Sequence, residues 1–81
     1  MVILSCAIIK GNLPIDISWM HNGAPVDPKE DITILRPSQR IETLSIDSVQ
    51  AKHAGEYTCV AKNKAGTVTS SAVLNVNGTL I

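Results

Sequence analysis

Ala54-Gly55-Glu56-Tyr57-Thr58-Cys59 ends on the second of the chain's two cysteines, and Tyr57 stands two residues before it. Upstream, Trp19 lies thirteen residues after Cys6 and forty before Cys59. A Cys…Trp…Cys order with a tyrosine at that offset marks a two-sheet β-sandwich. Two cysteines alone say little. Their spacing around Trp19, together with Gly55 and Tyr57, makes the signal specific.

The rest of the chain reads as short β-branched runs separated by turn signals, with no sustained helical period. Val2, Leu4 and Cys6 share one parity and are expected to point inward, leaving Ile3, Ser5, Ala7 and Ile9 outward. Lys10 to Pro14 is a turn, and Ile15, Ile17 and Trp19 form the next inward set. Asn22-Gly23 is a tight-turn signal, after which Pro25, Asp27 and Pro28 prevent a long strand. A short strand is expected from Asp31 to Leu35, ended by Pro37. Leu44 and Ile46 face inward on the following strand, Val49 covers the lower end of the core, and residues 50–54 cross to the other sheet. Tyr57, Cys59 and Ala61 are inward on the strand that begins near Gly55. Asn63 to Gly66 is a hairpin loop, and Ala72, Leu74 and Val76 alternate toward the core on the last strand.

At 81 residues the chain is one domain at most, expected over residues 1–77 with a tail or linker at 78–81. Such a domain buries only about 60–65% of its unfolded surface and is marginal without a staple. Seven basic and seven acidic residues balance to a net charge of zero, and no basic run exists that could track a phosphate backbone, so no nucleic-acid partner is expected. No apolar stretch approaches a bilayer span, so direct membrane insertion is not expected. Met1 runs straight into a strand with no charged leader or cleavage site, and the chain is expected to be an excised piece of a larger extracellular protein.

Cys6 and Cys59 can be a disulfide, free thiols or metal ligands. His21 and His53 would complete a two-Cys, two-His set, but no close cysteine pair exists and the histidines are 32 positions apart, which opposes zinc. A bridge between them would close a loop worth roughly 4 kcal/mol on the chain-entropy model, and would argue for secretion or a cell surface. No nucleophile with its base and no phosphate-binding loop appears, so neither enzyme activity nor a cofactor is expected. Asn77-Gly78-Thr79 is a glycosylation sequon, with Asn77 as acceptor.

The motif around Trp19 and Tyr57 resembles the immunoglobulin superfamily, most closely its I-set modules, over nearly the whole chain. The resemblance implies an all-β, immunoglobulin-like two-sheet Greek-key sandwich whose N-terminal strands A and A′ are largely missing here. Two strand edges would then lack partners, lowering stability or inviting self-association. It also implies a Cys6–Cys59 disulfide, and a core of Trp19, Leu44 and Tyr57 in which the indole lies against the bridge and the phenol bonds backbone near the crossing. His53 departs from the family's Asp-x-Gly-x-Tyr-x-Cys motif, and a neutral imidazole accepts only one hydrogen bond where the carboxylate accepts several. The phrasing Cys6-Ala7-Ile8-Ile9-Lys10-Gly11-Asn12-Leu13-Pro14-Ile15, then Ser18-Trp19 and Ala61-Lys62-Asn63-Lys64-Ala65-Gly66, resembles the variable immunoglobulin domains of arthropod Dscam, the Down syndrome cell adhesion molecules.

That likeness implies isoform-specific homophilic adhesion, with an identical domain on another receptor copy pairing antiparallel and neighbouring immunoglobulin domains in the parent chain. It places the contact on the outward positions Ile3, Ser5, Ala7 and Ile9, facing Thr43, Ser45 and Asp47, a flat face of low charge. The setting it implies is the extracellular part of a cell-surface receptor or a secreted isoform. The alternatives are a heterophilic guidance or growth-factor receptor domain, or an intracellular sarcomeric I-set spacer.

Overall fold

The structure is a computed structural model and describes residues 1–28 and 31–75. Within these residues seven strands run in order: β1 (Val2–Ala7), β2 (Asp16–His21), β3 (Ala24–Pro25), β4 (Ile32–Ser38), β5 (Ile41–Ile46), β6 (Gly55–Asn63) and β7 (Gly66–Leu74). A single 3₁₀ turn at Ala51–His53 joins β5 to β6. The strands form two antiparallel sheets, β1-β5-β4 and β3-β2-β6-β7, as the cysteine and tryptophan spacing led us to expect.

Alternation builds the core between the layers. Cys6, Trp19, Leu44, Ile46, Tyr57 and Cys59 form one buried cluster, with Leu4, Ile17, Val49 and Leu74 packed against it. Leu44 and Ile46 are wholly buried. Cys6 and Cys59 are joined as a disulfide with their Cα atoms 6.3 Å apart, tying β1 of one sheet to β6 of the other. The β2–β3 hairpin turns on Asn22 and Gly23 at φ +52° and +85°, the pair of positive values that a type I′ turn requires. Asn22 also holds β6: its N–H donates to the Glu56 carbonyl at 2.8 Å, and its Oδ1 accepts from the Glu56 N–H at 2.9 Å. A Cβ on Gly55 would meet that Oδ1 at 2.5 Å, so close approach and a φ of +134° both demand glycine there.

The structure departs from the sequence reading in three places. The strand expected to stop before Pro37 continues to Ser38 through a register shift between Leu35 and Ser38. Pro37 sits at that shift, on a strand that pairs, among the described residues, with β5 alone, where its missing N–H removes no ladder bond. Ala72 lies on the side of β7 that faces the other sheet, opposite Tyr57, but it is exposed. Its neighbours on that side, Ser70 and Val68, are exposed too, Val68 at 60%. The three-stranded sheet is one strand narrower than its partner, which leaves this stretch of β7 uncovered, while Leu74 at its end still packs against the core. Third, Ile9 and Asp47 fall beyond the ends of β1 and β5, so neither is part of a sheet face. Val76, the acceptor Asn77 and the 78–81 tail lie outside the described residues.

Candidate functional site

The outward side of β1-β5-β4 follows from register. Ile3, Ser45 and Thr33 lie in one row across the sheet, Ser5, Thr43 and Leu35 in the next, and Ala7 with Ile41 in a third. No charged side chain falls in these rows. Ile3 and Leu35 are each 58% exposed, and Ile41 is at the margin of exposure, while Thr43 and Ser45 are half-buried between their neighbours. The structure therefore brings together the expected Ile3, Ser5, Ala7, Thr43 and Ser45. It adds Leu35 and Ile41, which sequence reasoning missed. Ile41 shares parity with Thr43 and was legible; Leu35 required the pairing of β4 with β5. A solvated antiparallel face is ordinarily polar, so exposed leucine and isoleucine here mark a surface suited to contact with protein.

A second constellation holds the crossing between sheets. The Tyr57 hydroxyl donates to the His53 carbonyl at 2.7 Å. The His53 ring, 3% exposed, accepts the Gln50 N–H at Nδ1 (2.9 Å), which leaves Nε2 as the protonated nitrogen facing Asp31 Oδ2 at 2.9 Å. Lys52 Nζ reaches the same carboxylate oxygen at 3.2 Å. Hydrogen bonds from His53 and Lys52 hold the Asp31 carboxyl down to about 2. His21 stacks on Tyr57 with ring centroids 4.4 Å apart and reaches the Ala54 carbonyl at 2.8 Å. The imidazole thus does the turn-fastening work of the family's aspartate with its single acceptor, and recruits an acid from β4 with its donor. Burial pushes the Tyr57 phenol above its usual range, and the Asp31 charge adds to this.

A third feature is an acid on the inward side of β5. Glu42 shares the inward side of β5 with Leu44 and Ile46 and is 7% exposed. Burial raises its carboxyl above the ordinary range, opposed by the Arg36 charge and by the Trp19 indole. The indole N–H is buried and has no hydrogen-bond partner of normal geometry. Among the described residues no cluster of three such carboxylates and imidazoles could hold a metal ion.

The immunoglobulin I-set domain family model matches residues 1–76. The chain belongs to the immunoglobulin I-set family. Among I-set proteins, the cell adhesion molecule Dscam1 of Drosophila melanogaster is 43% identical over 74 residues, covering 90% of this chain and 4% of that protein. The human cell adhesion molecule DSCAM is 35% identical over 79 residues, covering 93% of this chain and 4% of that protein. The crystal structure of the Dscam1 Ig7 domain, isoform 5, superposes with a TM-score of 0.88 at 38% identity, over 93% of this chain and 77% of that one. The titin I-band fragment I67–I69 superposes at 0.81 with 29% identity, over 89% of this chain and 25% of that one. The chain spans about 4% of the length of its adhesion-molecule relatives. This I-set module is similar to domains of cell adhesion molecules.

Proposed function

We propose that this I-set domain is an extracellular recognition module of a cell adhesion receptor, binding a second copy of itself through the outward face of β1-β5-β4. The observation that carries this reading is the uncharged face centred on Ile3, Leu35 and Ile41, in a chain whose relatives are adhesion molecules. A face without charge meets a copy of itself without like-charge repulsion, and a two-fold axis lying in the plane of the interface, perpendicular to the strands, sets the strands of the two copies antiparallel. Isoform specificity then follows from which side chains occupy the three rows. One such contact is weak, and neighbouring domains raise it by avidity. The disulfide supports an oxidising, extracellular setting over a sarcomeric one.

The test is sedimentation equilibrium of a longer recombinant chain that carries this domain with its neighbours. Self-association that Ile3→Asp or Leu35→Asp abolishes, with thermal stability retained, is the expected result. Both side chains point away from the core, so each change leaves folding intact. No self-association in any longer chain would turn the reading toward a different receptor or ligand as partner.

A further inference from the structure

The even charge balance of the sequence conceals a polar distribution in the fold. Five of the seven basic residues, Lys10, Arg36, Arg40, Lys62 and Lys64, gather at one end of the sandwich, around the β1–β2 loop, the β4–β5 turn and the β6–β7 hairpin. Hydrogen bonds fix that juxtaposition. Arg40 donates to the Ile8 carbonyl at 3.3 Å and the Gly11 carbonyl at 2.8 Å, and Arg36 donates to the carbonyls of Ile15 and Gln39. Lys10 and Lys62 line one depression of about 390 Å³, and Lys64 lines another of about 580 Å³. Among the described residues, only Asp16, opposite Lys62, and the buried Glu42 offset them nearby. Among the described residues, none of the five lies within salt-bridge distance of a carboxylate; both ion pairs involve Asp31. At the opposite end Asp27, Asp31, Asp47 and Glu56 face Lys52 alone among the described residues. Glu56 and Lys62 are six residues apart on β6, so the two ends are separated by roughly 20 Å.

We propose that the basic end is a binding site for a sulfated polysaccharide, distinct from the β1-β5-β4 face. Both guanidinium groups are anchored by backbone carbonyls rather than by acids, so they are ordered yet keep their full charge for a ligand. Trp19 and Tyr57 are the chain's only Trp and Tyr, it has no Phe, and both are buried, so this end offers no ring on which a base could stack, and single-stranded nucleic acid is disfavoured. The acidic end of a second copy is a poorer partner, since its Asp31 is already engaged by Lys52 and His53. A linear chain of sulfates can meet the three cation-bearing loops in turn, and the opposite charge of the far end orients its approach.

The test compares heparin binding of the full chain with two variants that each lower net charge by two. Lys10→Gln/Lys64→Gln removes exposed cations from the basic end; Ser48→Glu/Ala51→Glu adds exposed acids at the other. The first is expected to weaken binding on the order of tenfold and to lower the slope of log Kd against log salt by about two, whereas the second leaves both near wild type. Leu35→Asp should leave heparin binding unchanged, which separates this site from the adhesive face. Equal loss in both charge variants, no heparin binding at low salt, or equal binding of unsulfated hyaluronan would overturn the proposal. So would salt-sensitive self-association without heparin that Lys10→Gln/Lys64→Gln abolishes, which would identify a second copy as the partner.

Discussion

Replacing Tyr57 with phenylalanine removes one oxygen and tests whether the crossing between sheets is fastened as described. The side chain is 1% exposed, and its hydroxyl donates to the His53 carbonyl at 2.7 Å. The ring stays, so stacking on His21 and contact with Leu44 and Ile46 are retained. What is lost is one hydrogen bond whose acceptor cannot recruit water in its place, a cost of about 1–3 kcal/mol. For a domain of this size each kcal/mol lowers Tm by roughly 4–8 °C, so a fall of about 5–20 °C is expected. Urea unfolding followed by Trp19 fluorescence reads the free energy directly. An independent signature lies in alkali. The phenol's folded pKa is raised above the unfolded 10.0, so the folded state holds its proton more tightly. The corresponding stability is fully present below pH 10 and is lost as pH rises toward the folded value, with a limiting slope of about 1.4 kcal/mol per pH unit. Tyr57→Phe should unfold with a shallower alkaline slope than wild type. A loss below about 0.5 kcal/mol, with unchanged alkaline slope, would show that the hydroxyl does not hold the turn.

His53→Asp restores the commoner family residue but sets it against Asp31, so it should lower Tm at neutral pH, and Asp31→Arg/His53→Asp should recover much of the loss; thermal melts of the two variants decide. Because Asp31 is held at about 2 against an ordinary 3.8, the stability it contributes is present above pH 3.8 and lost as pH falls toward 2. Asp31→Asn should flatten acid unfolding in that window, monitored by circular dichroism. Glu42 has the opposite sign: its folded pKa is raised above 4.5, so its contribution is greatest below pH 4.5 and falls as pH rises through the folded value. Glu42→Gln should therefore gain stability relative to wild type at pH 7 and none at pH 4, measured by urea midpoints. Reducing the Cys6–Cys59 bridge, or replacing both cysteines with alanine, should cost about 2–5 kcal/mol in denaturant unfolding.

Period-two alternation made the layers legible, because every inward position on β1, β5 and β6 could be named from parity alone. Parity also points to Glu42, but burial of a carboxylate is decided by what surrounds it in the fold and not by its place in the alternation. Pro37 looked like a stop because proline lacks an N–H, but that loss has no consequence at a register shift on an outer strand. Ala72 has the right parity and the wrong burial, because alternation tells which way a side chain points and not whether anything lies above it. His53 and Asp31 are 22 positions apart, and only the fold reveals them as a pair. The same holds for the β1-β5-β4 face, where Leu35 joins Ser5 through β5, and for the basic end, whose five cations come from three separate stretches of the chain.

Strand β7 is bonded to β6 along nine residues and, among the described residues, to nothing on its other flank. Under tension applied through the C-terminal side, those rungs would open one after another from Leu74, a zipper motion that needs far less force than sliding whole strands past each other. The bridge at Cys59 lies on the neighbouring strand and cannot stop it. The first structure lost under load would thus be a single ribbon, with the covalently closed core of β1, β2, β5 and β6 still folded behind it.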